Sequence, residues 1–330
     1  MVSGGARPES VLVWKFGALG DLLMCTPMLR QLRRALPRAR ITCLVGRASA
    51  AAIAGHPSLD RIETFDERAF SAAGSWRLAG LLPRLHGHDR VYVLDKHRAF
   101  CLLARLAGSR RRIGFDRDGE GSSHDIAVPY GAIRHESRYA LDLLAADGLA
   151  VDPDDLALDA PAAPSAPLPA LPAGYRVLIN AGGLNPRENS AVRRLPAPLF
   201  DALLARCSTL GPVVFLGSAA ERAGYPADAP GRVNLAGRTS LAQAATVLRG
   251  ARAVVTTDCG LMHLAGAVGA PTVALFGPTH PLRKCPPGAN AVWCDADRYD
   301  PAYETYGRVP SGRWFERMSV EQVMAVLPPA

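Results

Sequence analysis

Short apolar runs alternate with stretches of helical periodicity along most of the chain. VLVWK (11–15), ITCLV (41–45), RIETF (61–65) and RVYVLD (90–95) read as buried strands. A helix is expected over 21–36, stopped by Pro37, with further helical stretches near 47–54, 75–85 and 97–107. The Pro/Ala-rich stretch at 159–174 breaks this rhythm and reads as a linker. Beyond it the alternation restarts. RVLIN (176–180), PVVFLG (212–217), ARAVVTT (251–257) and PTVALFG (271–277) are strand candidates, with helices near 196–209, 240–249 and 260–268. A closing helix over 319–327 carries Ser319 and Gln322 at capping-box spacing. Strands alternating with helices predict an α/β protein with parallel sheets covered on both faces. Two such halves put a ligand cleft at the C-terminal ends of the strands.

Composition changes this picture little. At 330 residues, 48% hydrophobic and 21% charged, the chain is long enough for two cored domains. No apolar run reaches the roughly 20 residues of a membrane span, and residues 1–10 lack the apolar centre of a secretory signal. A cytoplasmic protein is expected, with the inner face of the cell membrane as a further contact. The net charge is +8, and of 38 basic residues only Lys15, Lys96 and Lys284 are lysines. Arginine suits phosphates and carboxylates. No basic run is interleaved with aromatics, so nucleic acid is not the expected partner. Seven cysteines, none in CxxC spacing, argue against a disulfide framework and a structural zinc site.

Two segments carry chemistry. FGALGDLL (16–23) follows the first strand, where Gly17 and Gly20 would let the backbone turn and Asp21 would open a helix. Aspartate is a preferred N-cap, so that role alone accounts for it; at a strand's C-terminal edge it is also a candidate base. The GxxGD spacing matches neither a dinucleotide fingerprint nor a P-loop. The second segment, TTDCGLMHLAGAVGAPTVALFGPTHP (256–281), ends a strand in an acid and starts a helix at Cys259-Gly260. Its first amides form an anion site, with His263 one turn in as packing or a ligand contact. The DxD-like pairs Asp116/Asp118, Asp152/Asp154 and Asp295/Asp297 do not follow glycine-turn strand ends and read as chance.

Taken with DKHRAFCLLARLAGSRRRIGF (95–115), RRLPAPLFDALL (193–204) and LAGRTSLAQAATVLRGARAVV (235–255), these segments resemble the ADP-heptose:lipopolysaccharide heptosyltransferases, glycosyltransferase family 9. The resemblance implies a GT-B fold: two Rossmann-like, doubly wound domains facing each other across a cleft. The expected domains are 1–158 for the acceptor and 175–330 for the nucleotide sugar, the last helix packing back on the first domain. It further implies an inverting, metal-independent transfer of a heptose or related sugar from an ADP-sugar, with no cofactor.

The family's general base falls on Asp21, in the loop of Gly17 and Gly20, and its diphosphate-binding basic residue on Arg193, with Arg194 beside it. Asp258, Cys259, Gly260 and Leu261 fall on its phosphate- and sugar-holding stretch, with His263 following. Glu221 falls on the ribose-binding acid and Thr239 near the adenine contact, while Lys96, His97 and Arg98 are acceptor-side candidates. Cys259 replaces a usual threonine and Arg193 a common lysine, and the loop over 181–196 is longer than usual. Residues 66–86 hold only Arg68, Arg77 and Arg84 as basic residues, fewer than in members acting on lipopolysaccharide. The acceptor is a glycan, a lipid-linked glycan or a small natural product. A nucleotide-sugar epimerase of similar fold and a non-catalytic nucleotide-sugar-binding protein are the alternatives.

Overall fold

The computed structural model describes residues 7–67, 80–164, 166–182, 190–308 and 311–327. The chain divides into two units: Met1–Ala132 with Glu136–Leu156, and Ile133–His135 with Ala157–Ala330. Unit 1 runs β1 (Ser10–Lys15), α1 (Leu19–Ala35), β2 (Arg40–Gly46), β3 (Arg61–Phe65), α2 (Leu82–Leu85), β4 (Arg90–Val93), α3 (Arg98–Leu106), β5 (Arg111–Asp116), β6 (Ile126–Pro129) and α4 (Glu136–Ala146). Its strands form one parallel sheet in the order β3-β2-β1-β4-β5-β6. The central strand β1 is buried from Val11 to Lys15, as expected where helices cover both faces of a parallel sheet.

Helix α1 starts two residues earlier than its sequence pattern suggests, with Ala18 as N-cap, so Asp21 lies in the first turn and is not the cap. Within it, Pro27 has no N–H to give the Leu23 carbonyl, and the Thr26 hydroxyl donates there at 2.7 Å instead. The helical stretch near 47–54 is a single 3₁₀ turn, Ala50–Ile53. Of the stretch expected over 75–85, residues 75–79 lie outside the described residues, as do Arg68, Arg77 and loop residues 183–189.

Unit 2 runs β7 (Arg176–Ile179), α5 (Ala197–Ser208), β8 (Val213–Phe215), β9 (Arg232–Asn234), α6 (Leu241–Arg249), β10 (Val254–Thr257), α7 (Gly260–Ala267), β11 (Thr272–Phe276), α8 (Pro281–Lys284), β12 (Asn290–Trp293), α9 (Pro301–Tyr306) and α10 (Val320–Ala325). Its parallel sheet has the order β12-β11-β10-β7-β8-β9. Numbered within the unit, this is again 3-2-1-4-5-6, the doubly wound order. Core residues Phe200, Phe215, Trp314 and Phe315 join Val323 of α10, whose Ser319–Gln322 capping box forms as expected. The described part of the Pro/Ala-rich stretch holds no helix or strand, and Pro167 accepts from the Gln243 amide at 2.9 Å.

All seven cysteines are free. Burial raises every one of their thiols, Cys25 to about 12 and Cys259 and Cys285 to about 11. Among the described residues no helix is long and apolar enough to cross a membrane.

Candidate active site

A doubly wound sheet opens a crevice where its strand order reverses, at the carboxyl ends of its two central strands. These pairs are β1 and β4 in unit 1, β7 and β10 in unit 2. The candidate residues concentrate at both.

In unit 1, β1 ends in Lys15, whose side chain is 7% exposed. Its ammonium meets Asp95, just after β4, at 2.7 Å and Asp21 at 3.7 Å. Burial pulls the ammonium down, but Asp95 and then Asp21 outweigh it and hold Lys15 well above its ordinary 10.5. Asp95 also accepts from the Phe16 amide at 2.5 Å, fixing the loop that follows β1. The Asp21 side chain stays 39% exposed. Anchored on one side and open on the other, this carboxylate suits a group that must meet an incoming hydroxyl.

A narrow pocket beside it is lined by Lys15, Asp21, Cys25, Lys96, Phe115 and Glu136, among others. Lys96 is held there by Glu136 at 3.3 Å and by the Tyr130 ring, 4.2 Å from its centroid. His97 and Arg98 are exposed and do not line the pocket; the His97 ring accepts from the Ala99 amide at the start of α3. Of the two loop glycines only Gly17 needs its freedom. Its φ is +151°, and a Cβ there would stand 2.8 Å from the Ser49 hydroxyl, whereas Gly20 is an ordinary residue of α1.

In unit 2, the Thr257 hydroxyl donates to Ala181 O at 2.6 Å and accepts from Ala181 N at 3.0 Å, tying together the ends of β10 and β7. Asp258 follows, 3% exposed, and Cys259 is the N-cap of α7. Arg193, closing a 3₁₀ turn over Ser190–Arg193, approaches Asp258 at 3.4 Å. His263 is buried 4.0 Å from the other Asp258 oxygen. The neighbouring Arg194 diverges toward Glu221, at 3.7 Å. Glu221 accepts from the Ser218 amide and hydroxyl at 2.7 and 3.0 Å, which fixes it in the turn after β8. That turn touches the loop of Thr239: Gly237 N donates to Gly217 O at 2.9 Å, and a Cβ on Gly237, whose φ is +69°, would run into the Ala219 backbone.

The unit-2 candidates therefore form one string, from Asp258, His263 and Arg193 through Arg194 to Glu221 and the loop of Thr239. Gly260 and Leu261 open α7, whose N-terminal amides favour an anion. The structure adds three residues to the sequence-derived candidates: Lys15 and Asp95, each a charge closing an apolar strand run, and Tyr303, which accepts from Arg193 at 2.8 Å. Each DxD-like pair is engaged internally: Asp116 takes the Gly121 amide, Asp154 pairs with Arg138, and Asp295 takes the Phe315 amide. Among the described residues no group of three or more His, Cys, Asp or Glu side chains is placed to hold a metal ion.

The family model described as glycosyltransferase family 9 (heptosyltransferase) matches residues 179–306, a span containing every donor-side candidate. Lipopolysaccharide heptosyltransferase 1 of Pseudomonas aeruginosa is 31% identical over 296 residues, 82% of this chain and 79% of that protein. Among solved structures, the family 9 glycosyl transferase from Veillonella parvula shares the fold with a TM-score of 0.73 at 20% identity, over 96% of this chain and 95% of that one. The E. coli ADP-heptose lps heptosyltransferase II does so with a TM-score of 0.69 at 21% identity, over 96% and 98%. Identity of this order with the Pseudomonas protein, sustained across both units, makes the chain a glycosyltransferase belonging to family 9, the heptosyltransferases.

Proposed function

We propose that the protein transfers a heptose from ADP-heptose to a hydroxyl of a lipopolysaccharide core acceptor, with inversion and without a metal. The observation that carries this reading is the unit-2 string: acid, helix N-terminus and Arg193 at one end, Glu221 and Thr239 at the other. A nucleotide sugar has the same linear order of sugar, diphosphate, ribose and base. The names of the relatives support the choice of sugar and acceptor, one being a lipopolysaccharide heptosyltransferase and another an ADP-heptose lps heptosyltransferase. Such an acceptor puts the work in the cytoplasm, at the inner face of the cell membrane.

In this mechanism Asp21 takes the proton of the acceptor hydroxyl as its oxygen attacks the anomeric carbon opposite the ADP. The bond from that carbon to the diphosphate oxygen breaks, and ADP leaves with the added negative charge. Arg193 and the α7 amides stabilise that charge. Lys15 and Asp95 hold the base, and Lys96 lies beside it on the acceptor side.

The test is turnover of ADP-heptose with a core acceptor, followed by ADP release and by the anomeric configuration of the product. ADP release that persists in excess EDTA, with an inverted product, is expected. A retained configuration, or activity abolished by chelator and restored by magnesium or manganese, refutes the mechanism. Release of a sugar epimer without any acceptor refutes the transfer itself.

A further inference from the structure

We propose that Tyr303 is the positioning residue for Arg193, holding its guanidinium plane ready for the donor diphosphate. The proposal rests on the reading of Arg193 as a diphosphate contact. Arg193 Nε donates to the Tyr303 hydroxyl at 2.8 Å, and its guanidinium carbon lies 5.2 Å from the centroid of the Tyr303 ring. On another edge, Nη1 stands 3.4 Å from Asp258. Two fixed partners on two edges define both the place and the plane of the fork.

The two partners differ in charge, and the difference matters. Asp258 orients Arg193 but also offsets part of its positive charge. A second carboxylate at Nε would cancel what a diphosphate needs. A phenol accepts the same hydrogen bond while remaining neutral, and its ring face adds attraction for the cation. An arginine immobilised in advance also loses less rotamer freedom when the anion arrives.

Tyr303 is itself enclosed. It is 1% exposed, in a short helix fixed at both ends. At the start of α9, Asp300 accepts from the Ala302 amide at 2.8 Å and Pro301 takes the first position; at the end, Gly307 adopts a φ of +71°. The side chain of the next residue, Glu304, is 1% exposed and accepts from the Tyr299 hydroxyl at 2.8 Å and the His280 amide at 3.2 Å. Arg283 Nε lies 3.8 Å from its other oxygen. These contacts tie α9 to the segment after β11 and set the hydroxyl of Tyr303 beside Arg193.

The decisive variant is Tyr303→Phe, which keeps the ring and removes the hydroxyl. The donor KM should rise about tenfold, the scale of one hydrogen bond to a charged group, while the acceptor KM stays unchanged. In an Arg193→Ala background the same substitution should add nothing, because its effect passes through Arg193. A wild-type donor KM in Tyr303→Phe, with Arg193→Ala impaired, overturns this proposal alone. An equal penalty in both backgrounds assigns Tyr303 a structural role and also overturns it. Unimpaired donor binding in Arg193→Ala removes both the diphosphate reading and the proposal. If Tyr303→Phe does not fold, Arg193→Lys poses the question from the other side. It keeps the charge but has no fork to meet the hydroxyl, so a wild-type donor KM in that variant is likewise fatal.

Discussion

Unit 1 ends its central strands in a buried lysine between two aspartates, whereas unit 2 ends the equivalent pair in arginines, one buried acid and a helix N-terminus. The frames are the same: six parallel strands, one order, one reversal point. The connections differ. Only residues 16–18 separate β1 from α1, while residues 180–196 separate β7 from α5. A short turn sets Asp21 beside Lys15, opposite Asp95. The long connection delivers two adjacent arginines that split toward Asp258 and Glu221, spreading positive charge along the sheet edge. One topology thus yields two differently charged ends, which the proposed mechanism uses for the proton and for the diphosphate, the outcome depending on loop length and on which charge closes the strand.

The contrast breaks most sharply at Asp21. Asp21→Asn should lower turnover by roughly 10²–10⁴ while donor affinity, measured by calorimetry on the same sample, is retained. Because Ala18 and not Asp21 caps α1, no cap is lost, and Lys15 keeps Asp95 at 2.7 Å, so the fold should survive the loss of the 3.7 Å pair. An Asp21→Asn enzyme running at the wild-type rate would remove unit 1's claim to the chemistry.

Next in size is the buried pair that holds it. Lys15→Met leaves the Asp95 carboxylate without its cation and should cost about 3 kcal/mol in urea unfolding. Adding Asp95→Asn should return most of that stability but not the activity, if the pair serves to orient Asp21. The stability from the raised Lys15 is full below its ordinary 10.5 and is lost only in stronger alkali, as pH climbs through the folded value.

In unit 2, Arg193→Ala should weaken donor binding by about 1.5–3 kcal/mol and slow turnover too, since leaving-group charge grows in the transition state. Arg194, with a side chain 42% exposed, should contribute less than about 1 kcal/mol. The reverse ranking in a donor titration would shift the phosphate contact by one residue.

The smallest effect is acid sensitivity in unit 1. Burial first, then Arg112, pushes His124 down to about 4, and its Nδ1 is buried without a partner among the described residues. Below pH 6.5 the unfolded chain takes up a proton that the folded one refuses. Stability should therefore fall from pH 6.5 to about 4 and then level. His124→Gln should flatten that segment of the pH–stability curve, and an unchanged curve would acquit His124.

The parallel sheets were legible because their inner strands are near-continuous apolar runs. The strands that escaped notice, β5, β6, β9 and β12, lie at or next to sheet edges, where one flank needs less apolar cover; β6 shows alternate half-buried and exposed positions. The Asp258–Gly260 turn could be read because an acid and a glycine punctuate a strand end. Tyr303 could not be. Its place beside Arg193 depends on α9 folding in from far along the chain, and no local pattern in PAYETY signals a partner in the 3₁₀ turn. Gly20 misled for the opposite reason, since a glycine beside a turn need not be the residue that turns.

Burial of the cysteines also has a kinetic meaning. A thiol raised by burial is almost entirely protonated at neutral pH, and the thiolate is the reactive form. Cys43 and Cys101 in unit 1, and Cys207 and Cys259 in unit 2, are buried away from the pocket that Cys25 lines. A thiol reagent therefore labels each only when the structure around it opens. Once the half-buried Cys285 and Cys294 are replaced, the labelling rates of these buried thiols act as two separate clocks, each timing how often one half of the enzyme breathes.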